Sequence, residues 1–429
     1  MGISREDNEL LTRVGPGTMM GDLLRRYWMP ALLSSELPEN DGPQIRVTLL
    51  GEKLIAFRNT NGEVGLVDEF CAHRRVSLWF ARNEDCGLRC AYHGWKYDIH
   101  GNCVDLPSES EESGMRQRIK LKAYPCVERG GVIWAYMGPP ELKPELPGLE
   151  WANLPQDHVY LSKRFSNNNF MQSLEGAVDS SHVGFLHAGF YKTIAHKNTA
   201  KYNTQDLNPI FEVEDFGAGC FVGARRNTED GKFYWRITPY ILPFYTIVPP
   251  GALPTLTGHA WVPIDDENTW TWSMSFHPSR PLLRKEIAEI EEGNHVHAKL
   301  IPGTFIPVQN KANDYLMDRH AQVAGSTFSG IHGIGMQDSA VQESMGTITD
   351  RTQENLTSSD NGVLRIRREL MRAAKANRAG KPIRGLEAAD QAVRSCAIVL
   401  DKETPFVEGA KDALYPNGST TLTAADEVA

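Results

Sequence analysis

The sequence predicts a two-part α+β protein, and three observations predict it. Residues near 43 to 140 break into short strand-like runs separated by turn signals. A Pro-rich stretch from Pro139 to Pro155 follows, and the remainder mixes longer alternating runs with helical stretches. In the first part Ile45-Arg-Val-Thr-Leu-Leu, Lys53-Leu-Ile-Ala-Phe-Arg, Gly65-Leu-Val-Asp and Gly131-Val-Ile-Trp-Ala-Tyr-Met read as strands. Asn59-Thr-Asn-Gly62 is a hairpin turn between two of them, and His100-Gly-Asn closes another. These elements give a small antiparallel β domain over residues 43–145, preceded by an N-terminal helical segment, 1–42, and joined through the Pro-rich linker to a domain over 146–429.

Within the second domain, residues 169–190 have a helical rhythm. Phe211-Glu-Val-Glu-Asp, Cys220-Phe-Val-Gly-Ala-Arg, Lys232-Phe-Tyr-Trp-Arg-Ile-Thr-Pro-Tyr and Tyr245-Thr-Ile-Val-Pro are strand-like. Thr257-Gly-His-Ala-Trp-Val-Pro and Thr269-Trp-Thr-Trp-Ser-Met-Ser-Phe flank the turn Asp265-Asp-Glu-Asn, a hairpin with aromatic residues alternating on its second arm. Glu286 to Leu300 and Val363 to Arg378 read as helices. An antiparallel sheet with helices packed on it is the expected architecture, with a frayed Thr- and Ala-rich tail after Pro416.

A chain of 429 residues is long enough for two full cores. A net charge of −9 and the lack of any Lys/Arg-rich block argue against a nucleic-acid partner. No run of eighteen apolar residues exists to span a membrane, and Met1-Gly-Ile-Ser-Arg-Glu-Asp lacks the apolar core of a signal peptide, so a cytoplasmic location is expected. Seven Cys are too few, and too odd a number, for a disulfide framework. Cys86, Cys103, Cys126, Cys220 and Cys396 read as small apolar residues, with Cys86 the one open to oxidation.

The remaining two cysteines carry chemistry. Cys71-Ala-His73 and Cys90-Ala-Tyr-His93-Gly94-Trp95 are separated by sixteen residues, and each loop offers one thiolate and one imidazole. Two thiolates can hold one iron of a [2Fe-2S] cluster while two imidazoles hold the other, and the neutral His ligands raise the reduction potential. That is the ligand set of a Rieske centre. A Cys2His2 zinc site uses the same donors, but zinc fingers pair Cys with Cys and His with His. The segment resembles the Rieske domain of ring-hydroxylating oxygenases. It differs from respiratory Rieske proteins, in which an extra Cys in each loop forms a disulfide; Val76 and Tyr92 stand at those places.

Asp179-Ser-Ser-His182-Val-Gly-Phe-Leu-His187 is the second constellation. On a helix His187 lies about 140° round from His182, so the two can reach one ion only if the helix ends or distorts between them, and Gly184 offers a place for that. Two His and one carboxylate form the facial triad of non-haem Fe(II) oxygenases, which leaves positions for O2 and substrate. The segment from Asn169 to His187 resembles the iron-binding helix of these oxygenases. The resemblance to the phthalate dioxygenase-like branch extends over nearly the whole chain, including Glu9 to Trp28, Asn313 to Arg319, and Gln337-Asp-Ser-Ala-Val-Gln-Glu-Ser-Met-Gly346 with Asp350-Arg351.

That resemblance implies a helix-grip (START-like) fold for the C-terminal catalytic domain and a mononuclear Fe(II) held by His182, His187 and Asp338, with Glu343 and Asp350 as the other carboxylates nearby. It implies that Asp179 is not a ligand but bridges to a Rieske His of a neighbouring subunit. His320 and His332 are read as structural. Arg236 resembles a carboxylate-binding Arg of the branch, with Arg225, and behind it Arg226 and Lys201, as further candidates. The family further implies an aromatic carboxylate such as phthalate or a chlorobenzoate, O2, a separate NADH-dependent flavin/[2Fe-2S] reductase, and a homotrimer or stacked-trimer hexamer. Aryl-ether O-demethylation or monooxygenation by the same residues is the alternative. A Rieske electron carrier fused to a ligand-binding domain is the rival from another class, and it has no use for the second constellation.

Overall fold

The computed structural model describes residues 2–194, 199–249 and 254–416; the tail expected to fray beyond Pro416 lies outside them. The chain divides into two compact units, one of residues Val14–Pro144 and one of Met1–Arg13 with Glu145–Ala429.

The smaller unit is all-β apart from short helical turns. Three antiparallel sheets build it. Trp28–Leu33, Val132–Tyr136 and Cys126–Arg129 form the first; Ile45–Leu49, Glu52–Arg58, Val64–Asp68 and Ala123–Tyr124 the second; Arg82–Glu84, Gly87–Arg89, Lys96–Tyr97 and Cys103–Asp105 the third. Strands of two or three residues in that last sheet are too short for a period-two pattern to be visible, which is why the sequence marks only its turn. Its core, with Ile55, Phe57, Val67, Leu78, Leu88 and Tyr97, also encloses Cys71 and Cys90.

The segment 1–42 is not a helical unit of its own. Arg5–Thr12 is a helix of the larger unit, whereas Trp28–Leu33 is a buried strand of the smaller one. The apolar run Trp-Met-Pro-Ala-Leu-Leu supplies a strand buried on both faces, paired antiparallel with Val132–Tyr136.

In the larger unit the described residues form an eight-stranded antiparallel sheet. Its order is Val159–Ser166, Thr269–Phe276, Leu256–Pro263, Tyr245–Val248, Phe233–Ile241, Gly219–Asn227 and Ile210–Phe216, with Cys396–Leu400 also pairing to Phe233–Ile241. The amphipathic helix Asn361–Arg378 and the helices Phe170–Val178 and Ile334–Ser344 belong to the same unit. The helix read over Glu286 to Leu300 is shorter, Arg284–Glu291, because Gly293 adopts a left-handed conformation and ends it.

Candidate metal centres

The two Cys-His loops fold alike. Cys71 N–H donates to Val76 O (2.9 Å) and Cys90 N–H to Trp95 O (2.9 Å), while Arg75 N–H and Gly94 N–H donate back to Cys71 O and Cys90 O (3.0 Å each). Each loop therefore needs a left-handed residue at its fifth position: Gly94 (φ 75°) adopts it freely, Arg75 (φ 60°) at a cost of about 1–2 kcal/mol. A Cβ at Gly94 would also press on Pro107 at 3.2 Å.

The loops aim buried thiols inward and imidazoles outward. Cys71 and Cys90 are buried and form no disulfide, and the His73 and His93 rings sit 4.5 Å apart on the more exposed side. Trp95 stacks on His73 at 4.4 Å and 10°. Burial pushes the Cys71 thiol up, and the Tyr97 hydroxyl, 3.2 Å from Cys71 Sγ, works against it. Two inner thiolates and two outer neutral imidazoles fit a Rieske cluster, whereas one tetrahedral zinc has no such inside–outside division. A hydrogen bond to a cluster sulfur stabilises the reduced form, so Tyr97→Phe is expected to lower the potential by on the order of 40 mV, the equivalent of about 1 kcal/mol. Redox titration of the visible spectrum checks this, and an unchanged potential would mean that the hydroxyl does not point at the sulfur.

In the larger unit the helix Phe170–Val178 is capped by Asn169, whose side chain accepts from Met171 N–H, and is anchored by Glu175 between the buried Arg351 and Arg367 (2.9 and 2.7 Å). It stops before Asp179. Asp179 Oδ1 accepts Ser181 N–H at 2.7 Å, and this local turn competes with continued helix. The break that lets both imidazoles face one point thus lies at Asp179-Ser-Ser, upstream of Gly184. Gly184 has a different reason: a Cβ there would meet Asn203 O and Leu207 at 2.7 Å.

His182 opens a single helical turn, and His187 caps the next helix, Ala188–Thr193. Asp338 comes from Ile334–Ser344, a helix tied to the first one by Gln172, which donates to Gln342 O and Gly346 O (2.9 Å each). The three donors converge. His182 Nε2 and His187 Nε2 are 3.2 Å apart, and Asp338 Oδ1 lies 3.2 Å from His187 Nε2 and 3.6 Å from His182 Nε2. A first-row ion with bonds of about 2.1 Å places adjacent ligands about 3 Å apart, so this N,N,O set fits a facial non-haem iron.

Other groups hold the donors in place. His187 Nδ1 is 2.7 Å from Gln337 Oε1, and Gln337 Nε2 donates to Ile331 O, so the amide fixes Nδ1 as the protonated nitrogen and leaves Nε2 free to bind metal. Asp179 Oδ2 is 3.4 Å from His182 Nδ1 and does the same for that ring. Burial alone would raise Asp338; the two imidazoles outweigh it and hold the carboxyl at about 2. Burial likewise opposes a charged His182, but Asp179 and Asp338 raise it. His182→Ala or His187→Ala is expected to remove the mononuclear iron and leave the cluster spectrum intact, measured by metal analysis beside visible absorption.

Glu343 hydrogen-bonds Tyr315 (2.7 Å), and burial pushes it up, so it is no competing ligand. Asp350 caps a turn through Thr352, and His320 and His332 are exposed.

The triad opens into a cavity of about 110 Å³, mostly apolar, whose helix side carries Val183, Phe190 and Ile334. Its sheet side is built by alternation: Arg236 and Thr238, then Thr257, His259 and Trp261, then Ser275. Arg236 is 6% exposed. Its Nη1 donates to the Tyr191 hydroxyl (2.9 Å), its Nε has no partner, and it forms no ion pair among the described residues.

The other cations are elsewhere. Arg225, one residue position away in parity from the cavity-facing set, pairs with Glu212 (3.0 Å) and lies over Phe233, so it is corrected from a substrate contact to a cross-strand ion pair. Arg226 binds Ser180 O (2.7 Å) and Asp206 O, and Lys201 pairs with Glu229. Thr257, His259 and Ser275 were missed by sequence reasoning, although polar residues at every second strand position were a readable signal; Gln337, on the helix Ile334–Ser344, was missed without one.

The chemistry that these two donor sets support is that of a Rieske non-haem iron oxygenase. Residues 27–125 match the family described as Rieske [2Fe-2S] domain, and residues 135–420 the family described as LigXa C-terminal domain like. The 3-chlorobenzoate-3,4-dioxygenase oxygenase subunit of Comamonas testosteroni is 38% identical over 400 residues, 90% of this chain and 92% of that protein. The phthalate 4,5-dioxygenase oxygenase subunit of Pseudomonas putida is 38% identical over 391 residues, 88% of each. The chain belongs to the Rieske non-haem iron ring-hydroxylating oxygenases, as an oxygenase subunit of the phthalate dioxygenase-like branch. The terminal oxygenase of carbazole 1,9a-dioxygenase from Nocardioides aromaticivorans IC177 shares the fold, with a TM-score of 0.54 at 20% identity over 87% of this chain and 97% of that one. No helix among the described residues is long and apolar enough to cross a membrane.

Proposed function

We propose that this subunit cis-dihydroxylates an aromatic carboxylate, a phthalate or substituted benzoate, with O2 and with electrons from a separate NADH-dependent reductase. One observation carries the anionic substrate: Arg236 is a buried cation without a carboxylate partner among the described residues, in a mostly apolar cavity shared with the triad. An uncompensated buried charge is costly, and a substrate carboxylate supplies the missing partner in bidentate geometry. The names of the two relatives, a chlorobenzoate and a phthalate dioxygenase, support the same class.

An iron held by the triad would supply O2 activation. The residues of the chain do the rest. Cys71, His73, Cys90 and His93 would hold the cluster, and His182, His187 and Asp338 would hold the mononuclear iron at the cavity wall. Gln337 and Asp179 orient the two imidazoles. Val183, Phe190, Trp261 and Ile334 pack against an aromatic ring and exclude water, while Arg236 fixes which edge of the ring faces the triad. Asp179 orients His182, and its partial exposure is consistent with the proposed hydrogen bond from a cluster histidine of a neighbouring chain.

Metal analysis and a substrate panel test this reading together. About three iron atoms per chain, and a cis-diol from at least one benzoate or phthalate in the presence of O2 and a reductase, are expected. Two iron atoms per chain with no oxygenated product would instead identify an electron carrier. A phenol and formaldehyde from a methoxybenzoate, with no diol from any acid, would identify a demethylase.

A further inference from the structure

Hydroxylation of this kind consumes protons. Adding both atoms of O2 to a ring as a cis-diol requires two electrons and two protons; on the proposed function, which this inference rests on, the reductase supplies the electrons and solvent must supply the protons. The cavity wall carries several hydroxyls and imidazoles, and His259 among them bonds inward, to the buried Ser273 and to Trp272 O. The guanidinium of Arg236 offers donors and no acceptor, and the His295 ring meets Phe190 edge-on without a hydrogen bond among the described residues.

A hydrogen-bonded chain leaves the cavity through Ser275. Ser275 lines the sheet side, and its hydroxyl is 3.0 Å from His297 Nε2. His297 Nδ1 is 2.7 Å from the Ser162 hydroxyl, and Thr257 on the cavity wall is 3.5 Å from Ser275. Ser275 and His297 are each 2% exposed, whereas Ser162 is partly exposed on Val159–Ser166, the edge strand of the sheet. The chain of groups thus runs from the cavity wall, through a buried imidazole bonded at both nitrogens, to the sheet edge.

We propose that Ser275, His297 and Ser162 form a proton path from solvent into the cavity. A neutral imidazole accepts a proton at one nitrogen as it releases one from the other, so no charge has to rest in the core. Burial, with His259, Arg164 and His295 close by, holds His297 well below its ordinary value, which keeps the ring neutral between transfers. Rotation of the two serine hydroxyls and exchange of the ring tautomer reset the path.

The experiment has two arms. With the iron-loaded enzyme and a turned-over aromatic acid, Ser275→Ala and His297→Gln are expected to lower kcat at least about tenfold with little change in KM, to raise the solvent deuterium isotope effect, and to release peroxide in place of product. Added imidazole should partly restore His297→Ala. In the second arm, which needs no turnover, the protein is labelled with 15N-histidine and exchange of the His297 ring N–H with solvent is followed by NMR; Ser162→Ala should slow it about tenfold or more. Parental kcat and isotope effect in both Ser275→Ala and His297→Gln would overturn the path, as would unchanged ring exchange in Ser162→Ala. If no aromatic acid is turned over at all, the proposed function fails, and the exchange arm still decides whether the path exists.

Discussion

Arg236→Ala is expected to weaken binding of a benzoate or phthalate by roughly two to four powers of ten, because it leaves an anion unpaired in a mostly apolar cavity at a cost of about 3–5 kcal/mol. The Tyr191 hydroxyl, now bonded to Arg236, cannot take over, since it is one neutral donor in place of a charged fork. Arg236→Lys should recover only part of the loss, because an ammonium does not reproduce bidentate geometry. Affinity measured for charged acids and for an uncharged aryl analogue separates the possibilities. Equal weakening of both would make Arg236 a packing residue and would remove the main support for an acidic substrate.

Asp179→Asn nearly preserves shape while removing the charge beside His182 Nδ1. Iron and substrate should both remain bound, because His187, Asp338 and the cavity wall are untouched. Product formed in a single turnover of the pre-reduced protein should nevertheless fall by on the order of ten- to a hundredfold or more, since the amide no longer holds the imidazole in its charged-partner geometry or accepts from a neighbouring cluster histidine in the same way. A near-parental single-turnover rate would sink the bridging assignment. Loss of iron would show instead that Asp179 acts only through His182.

The residues were legible in the sequence to the extent that chemistry was local. The Cys-His loops each set one Cys two or three residues before one His, and the structure folds them alike. The strands from Phe211 to Phe276 alternate openly, and the sheet contains them with their ends moved by a residue or so. What stayed hidden depended on contacts distant in sequence. Val159–Ser166 mixes Lys163 and Arg164 with apolar residues, yet both charged side chains are buried, Lys163 against Trp270, Trp272 and Phe305. Arg225 and Arg236 look equivalent as basic residues on strands; only the register sets one beside Glu212 and the other in the cavity. The break at Asp179 was expected at Gly184, because glycine is the more conspicuous breaker, whereas a side-chain turn did the work.

All three candidate ligands of the mononuclear iron hang from the helical layer, while the surface that faces them is made by every second residue of neighbouring strands. Exchanging Thr238, Val248 or Thr257 for a larger or smaller side chain reshapes the space without moving a metal donor, since strand backbones stay paired whatever projects from them. Selection can therefore retune which molecule is accepted in single steps while oxygen chemistry is kept intact. The division of labour between layers makes the protein a scaffold on which new degradative capacities arise by small mutational change.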